Sequence, residues 1–219
     1  MRKLYTYILL TLLFPLAAYS QTTDRNYSAK KENLKAEETE TKWLLKDETH
    51  VHEFSVWGGY AFDSFKLWGK TPDATIGQFG LAYNRKFLKI GNQLFKYRFS
   101  VNLFSKLSYP QFEPERDRTS LSGFGVTPFG LRVNFRQNRT IKPFFDSAGG
   151  LLLFNEPFPD GRGKKFNYTF GLGAGVEVPF NSGSSFSLGY KYFHISNGES
   201  GQINPGVDSG FFFLAITFY

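Results

Sequence analysis

The sequence contains no cysteine, and this absence removes several kinds of chemistry at once. Without cysteine the chain has no disulfide, no thiolate metal site, no cysteine nucleophile and no residue for lipoprotein anchoring. Histidine is scarce as well, with three residues in 219, so a mechanism that needs a histidine base has few candidates. No second long apolar run follows the N-terminus, and this argues against helical membrane spans in the rest of the chain.

The first twenty residues have the three parts of a secretory signal peptide. Arg2 and Lys3 provide positive charge, residues 4–16 are apolar, and Ala-Tyr-Ser at 18–20 fits a cleavage site. The apolar run is shorter than the ~20 residues of a spanning helix, which favours a cleaved signal over an anchor. The predicted regions are a signal peptide at 1–20, a polar periplasmic segment at 21–50 and a single domain at 51–219.

Aromatic residues make up 19% of the chain, an amount that a soluble domain would have difficulty burying. From residue 52 onward, hydrophobicity alternates with a period of two, which is typical of strands with two different faces. Between 165 and 180 the even positions are apolar and the odd positions are small or polar. Lipid on one side and a crowded polar lumen on the other explain this alternation. The formal net charge of +7 suits an anionic lipid surface, although ordinary surface chemistry explains it better.

We predict an all-β fold, an eight-stranded antiparallel transmembrane β-barrel of the outer membrane. Short connections alternate with long ones along the chain, as in outer-membrane barrels, and the last strand ends on aromatic residues. Side chains fill the lumen of a barrel of this size, so a wide pore is not expected. The predicted strands are 52–62, 74–87, 94–105, 120–135, 141–154, 164–180, 184–197 and 208–219.

The phase of the alternation also predicts what lies inside the barrel. Glycines at 171, 173 and 175 fall on the lumen face of a strand, where they provide packing space. A nucleotide-binding loop would require a helix after them. Charged residues share this phase and should partly neutralise one another in the lumen. They are Lys96, Arg98, Glu177 and Lys191.

Three histidines limit where a histidine-dependent site can lie. His50 and His52 precede the first strand, and two histidines without a third ligand are more often surface residues than a metal site. His194 lies near the outer end of the seventh strand, and Ser196, two residues later, points to the same face. This face therefore carries a candidate base beside a candidate nucleophile.

Asp208 opens the eighth strand, antiparallel to the seventh, and is a candidate acid for His194. A histidine base needs such an acceptor on its second ring nitrogen. The alternative is that these residues only shape strand ends, because Asn, Asp, Ser and Gly are also common turn residues. Spacing alone leaves both interpretations open.

The C-terminal motif resembles that of a known family. Tyr-x-His-x-Ser-Asn at 192–197, then Asn-Pro-Gly-x-Asp at 204–208 and a final aromatic strand, is similar to the signature of lipid A 3-O-deacylases of the PagL type. The motif covers roughly the last thirty residues, and the predicted architecture extends the resemblance to the whole mature chain.

The resemblance implies an outer-membrane barrel that hydrolyses an ester-linked acyl chain of lipid A through a His–Ser–acid triad. It implies His194 as the base, Ser196 as the nucleophile and Asn204 as an oxyanion-hole donor. Asp208 takes the place of the acid, where a member of the family carries Glu, so its reach to His194 is in question. A second departure is Glu199, in a loop expected to stabilise a developing negative charge.

The leading hypothesis is therefore a serine carboxylic-ester hydrolase of the bacterial outer membrane. Its partner is lipid A or lipopolysaccharide, and we expect no cofactor, metal or nucleic acid. One alternative is a non-enzymatic barrel that serves adhesion, structure or binding. Another is an acyltransferase, which would need an enclosed apolar channel in the barrel, and the predicted lumen charges argue against one.

Overall fold

A computed structural model of the chain describes residues 50–111, 117–181 and 183–219. The predicted signal peptide and almost all of the predicted periplasmic segment lie outside these residues. No helix within the described ranges is long and apolar enough to cross a membrane.

The described residues form nine antiparallel strands, of which eight are long and one has two residues. Neighbouring long strands pair in chain order, and the first also pairs with the last, which closes the barrel. The predicted eight-stranded fold is confirmed. The strands are β1 (His52–Ala61), β2 (Ser64–Phe65), β3 (Thr75–Ile90), β4 (Gln93–Pro110), β5 (Arg118–Asn134), β6 (Lys142–Phe158), β7 (Lys164–Asn181), β8 (Ser184–Ser196) and β9 (Val207–Phe218).

Two strands run further than predicted, since β4 ends at Pro110 and β6 at Phe158. Alternation continues in the β4 extension, where Leu107 and Tyr109 are buried on the inner side. Their backbone groups pair with those of neighbouring strands, so the connections that follow are shorter than the loops predicted at 106–119 and 155–163. The long connections share one end of the barrel, as predicted: the Tyr109 hydroxyl donates to the Pro159 carbonyl, and Gln202 N donates to the Arg162 carbonyl. We call this the loop end.

The short strand β2 was not predicted. It pairs with the beginning of β9, where Ser64 is opposite Ser209 and Phe65 is opposite Asp208. The Ser64 hydroxyl donates to the Thr71 carbonyl and accepts from Ala74 N, so it ties the ends of the next loop together. This pairing directs residues 66–74 along the outside of β9, and we call them the 66–74 loop.

The two faces of the strands are occupied as the alternation predicts. The even residues of β7 face outward, from Phe166 to Phe180, while Asn167 and Glu177 are buried inside. In the lumen the Lys96 ammonium lies 3.0 Å from Glu53 and 3.4 Å from Glu177. A polar, salt-bridged interior and an apolar outer wall are the arrangement that a lipid environment requires.

The remaining predicted lumen charges also point inward. The Arg98 guanidinium lies 3.8 Å from Asp146, which also binds Arg132 at 2.6 Å. Lys191 has different neighbours, because its ammonium group lies 4.8–5.7 Å from the centres of four aromatic rings. These rings belong to Trp57, Phe193, Phe211 and Phe213. Cation–π contacts of this kind stabilise a desolvated ammonium.

Candidate active site

The antiparallel pairing of β8 with β9 places His194 directly opposite Asp208. His194 Nδ1 lies 2.5 Å from Asp208 Oδ1, and the Asp208 side chain is fully buried. Directly opposed residues on one sheet face have Cβ atoms only about 4.5–5.5 Å apart. An aspartate is therefore long enough to reach the imidazole, and the shorter acid does not prevent the contact.

Asp208 has a second group of partners, which the sequence analysis missed. Its Oδ2 atom accepts hydrogen bonds from three consecutive backbone amides of the 66–74 loop, Leu67 N at 3.0 Å, Trp68 N at 2.5 Å and Gly69 N at 2.5 Å. The Tyr192 hydroxyl donates to Oδ1 at 2.6 Å. Consecutive amides that converge on one oxygen form a concave anion site. We call these five donors, with the His194 nitrogen included, the Asp208 network.

The five donors favour the charged carboxylate, although its side chain is excluded from solvent. The closure of β1 onto β9, which the strand count implies, explains why the 66–74 loop comes near Asp208. No sequence motif identifies the amides themselves, because any residue except proline provides one. Tyr192 belongs to the quoted motif, but its phase alone assigned it to the outer face without a role.

Aromatic rings surround the imidazole on the outside of the barrel. The Trp68 ring meets His194 edge-on at 5.7 Å and Tyr192 at 5.8 Å, and it lies 6.4 Å from Phe170. Trp68 nevertheless remains 63% exposed. The candidate site thus lies on the outer wall near the loop end, next to surface that is apolar and accessible.

Ser196 lies two residues after His194 on the same face and pairs with Tyr168 of β7. It is half-buried, and its hydroxyl forms no hydrogen bond with His194 or with other described residues. Positions two apart on a strand are separated by roughly 6.5–7 Å. Contact between the two side chains therefore requires rotation toward each other, and catalytic hydrogen bonds are often long before substrate binds.

Asn204 lies in the connection between β8 and β9. Its Oδ1 atom accepts from Asn197 N at 3.0 Å, and its Nδ2 atom donates to Glu199 Oε1 at 3.3 Å. Glu199 is exposed and has a positive φ of 63°. The structure thus brings His194 and Asp208 into contact, while Ser196 and Asn204 lie at the same end without a hydrogen bond to that pair.

Among the described residues, no group of three or more His, Asp or Glu side chains is arranged to hold a metal ion. His52 instead shares a hydrogen bond with the Tyr83 hydroxyl through Nδ1 at 2.6 Å.

Comparison with known proteins gives one family and a set of similar folds. Residues 77–217 match the family described as lipid A 3-O-deacylase (PagL), a range that includes His194, Ser196, Asn204 and Asp208. No curated protein matches the chain.

Among solved structures, the crystal structure of the outer membrane enzyme PagL is 15% identical, with a TM-score of 0.56 over 74% of this chain and 97% of that one. Neisserial surface protein A is 13% identical, with a TM-score of 0.46 over 77% of this chain and 97% of that one. The outer membrane protein OprG from Pseudomonas aeruginosa is 11% identical, with a TM-score of 0.46 over 77% of this chain and 95% of that one.

Proposed function

Because the chain belongs to the lipid A 3-O-deacylase (PagL) family and is an outer-membrane β-barrel, we propose that it hydrolyses an ester-linked acyl chain of lipid A. The observation that carries this proposal is the His194–Asp208 pair on the outer wall, with Ser196 on the same face. A base, an acid and a hydroxyl that face outward are suited to an ester that the bilayer presents.

In the proposed mechanism, Ser196 attacks the ester carbonyl while His194 takes the hydroxyl proton. Asp208 accepts a hydrogen bond from Nδ1, which leaves Nε2 free to receive that proton. The tetrahedral intermediate expels the sugar oxygen, which recovers the proton from His194, and an acyl-enzyme remains. Water, activated by the same imidazole, then releases the fatty acid and restores Ser196.

Asn204 is proposed to stabilise the oxyanion of this intermediate. One hydrogen of its amide group donates to Glu199, and the second is available for a substrate oxygen. A single oxyanion-hole donor is typically worth about 3–4 kcal/mol of transition-state stabilisation. Family resemblance and position in the β8–β9 connection support this role.

Replacement of Ser196 by alanine tests the proposal directly. We expect Ser196→Ala to lower fatty acid release from purified lipopolysaccharide by about 10³-fold or more, because the nucleophile is lost. Ser120→Ala is the matched control, since Ser120 is an exposed serine that lies near the loop end of β5. Mass spectrometry of the lipid A product identifies the chain removed, and undiminished deacylation by Ser196→Ala would refute the mechanism.

The alternatives predict different results in the same assays. A non-enzymatic barrel would leave several types of lipid A unchanged even with the wild-type protein, and the family match does not favour it. An acyltransferase would need an apolar channel for a donor chain, whereas charged residues occupy the lumen, among them Lys96, Arg132, Asp146 and Glu177.

A further inference from the structure

We propose that Tyr192 and the backbone of residues 67–69 are positioning groups that hold the Asp208 carboxylate against His194. The inference rests on the proposed function, because it assigns these groups a part in the same reaction. It adds two parts to the site, which otherwise consists of residues of β8, β9 and their connection. One is a further side chain of β8, Tyr192, and the other is a loop from the beginning of the barrel, residues 67–69.

The contacts of the two carboxylate oxygens are divided between different partners. Oδ1 binds the Tyr192 hydroxyl at 2.6 Å and His194 Nδ1 at 2.5 Å, while Oδ2 accepts hydrogen bonds only from backbone amides of the 66–74 loop. Rotation of the carboxylate about its Cβ–Cγ bond would break bonds to both groups at once. The plane of the carboxylate is therefore fixed, and with it the orientation of the imidazole that Oδ1 contacts.

The loop can supply these amides only because its backbone lies against β9. A Cβ atom on Gly69 would come within 2.9 Å of the backbone of Asp208, Gly206 and Val207. Lys70 N donates to the Pro205 carbonyl at 2.5 Å, and Thr71 N donates to the Gly206 carbonyl at 3.3 Å. Such backbone-to-backbone contact holds the donors in place independently of most loop side chains.

The Tyr192 hydroxyl can be separated experimentally from the Tyr192 ring. The ring has neighbours of its own, Phe65 at 6.0 Å, Trp68 at 5.8 Å and Phe170 at 6.4 Å, and phenylalanine would preserve them. Tyr190 is the matched control, because it lies two residues earlier on the same face and its hydroxyl does not bind Asp208. A purely structural role for the hydroxyl would affect folding and not the chemical step.

The decisive measurement is the division of the effect between kcat and KM. We expect Tyr192→Phe to lower kcat by about tenfold with KM within about twofold of wild type, because a hydrogen bond to a charged group is lost. Tyr190→Phe should leave both constants unchanged, and both variants should fold as judged by heat-modifiable gel mobility. Equal kcat values for the two variants, or a rise in KM alone for Tyr192→Phe, would overturn the role of Tyr192.

Gly69→Ala tests the loop side of the network. The added methyl group should displace the amides from Oδ2 and lower kcat by about tenfold or more, whereas Gly161→Ala, which meets no atom within 4 Å, should have no effect. Wild-type kcat in a folded Gly69→Ala barrel would overturn the role of the loop. The Ser196→Ala test has a separate outcome. Undiminished activity of that variant would refute the proposed mechanism itself, whereas Tyr192→Phe and Gly69→Ala test only the positioning groups.

Discussion

At the scale of single residues, the structure accommodates an aspartate at position 208, one methylene shorter than the glutamate that the resemblance implies. His194 and Asp208 are direct neighbours across β8 and β9, and the amides of the 66–74 loop approach the carboxylate from behind. The shorter side chain leaves room for this approach. The length of the Asp208 side chain therefore matches the position of the loop backbone.

We expect Asp208→Glu to lower the proposed deacylase activity by about tenfold. The added methylene would press the carboxylate into the loop backbone or turn it away from His194, at the cost of a charged hydrogen bond. Asp208→Asn should lower activity further without abolishing it, because an amide cannot stabilise the imidazolium by charge. Initial rates of fatty acid release compare the two variants, and a fully active Asp208→Glu protein would show that the fit is loose.

Glu199 also affects the proposed site at this scale, because its carboxylate accepts a hydrogen bond from the amide of Asn204, the proposed oxyanion donor. We expect Glu199→Ala to raise kcat by about two- to fivefold, since it frees the Asn204 amide and removes a negative charge near the oxyanion. Asn204→Ala should lower kcat by about 10²-fold. Glu156→Ala, which removes an exposed carboxylate of β6 at the same end, is the control. A fall in kcat for Glu199→Ala would mean that Glu199 holds Asn204 in its working position.

At the scale of strands and loops, the sequence predicted what depends on alternation. The eight long strands, the faces of most of them and the lumen charges follow from a period of two, because lipid and lumen impose different chemistry on alternate residues. The alternation is ambiguous in β5 and β6, whose pairing shifts register between Val126 and Phe129. The pairing of β2 and the three amides on Asp208 follow from backbone geometry, which leaves no compositional signal. The sequence predicted that His194 and Ser196 share one face, but it did not predict that their side chains are rotated apart.

Within the β7 strand, the glycine-rich stretch illustrates the packing interpretation. A Cβ atom on Gly175 would meet the Phe144 ring at 2.5 Å and the Gly189 Cα atom at 2.7 Å. We expect Gly175→Val to destabilise the barrel by about 1–3 kcal/mol or to prevent its assembly, because the inserted volume has nowhere to go. A Cβ atom on Gly149 of β6 would meet no atom within 4 Å, so Gly149→Val should be tolerated. Urea unfolding of both proteins in detergent measures the difference, and equal stability would contradict the packing interpretation.

At the scale of the whole molecule, the barrel is held from inside by a salt-bridged core. Lys96 lies between Glu53 and Glu177, and all three are almost completely buried. We expect Lys96→Met to cost about 3–5 kcal/mol, because it leaves two carboxylates buried without their shared cation. Lys165→Met, at an exposed position of β7, should cost little.

A triple variant separates charge from shape in this core. If Lys96→Met is combined with Glu53→Gln and Glu177→Gln, much of the lost stability should return, because the two carboxylates that Lys96 neutralised are no longer charged. The recovery should be incomplete, since Lys86 also loses Glu53, which lies 3.4 Å away. The unfolding midpoints of the single and triple variants provide the comparison. A triple variant no more stable than Lys96→Met would mean that packing of the lysine stem, and not its charge, stabilises the lumen.

The closing pair of strands has a consequence for when activity arises during biogenesis. Asp208 lies on the last strand, whereas its three amide donors follow the first, and β1–β9 pairing brings them together. In a partly assembled chain, whose first and last strands are still apart, Asp208 lacks those donors. Full activity should therefore appear only once β1 has paired with β9, so an enzyme that degrades membrane lipid would be most active in barrels already inserted in their own bilayer.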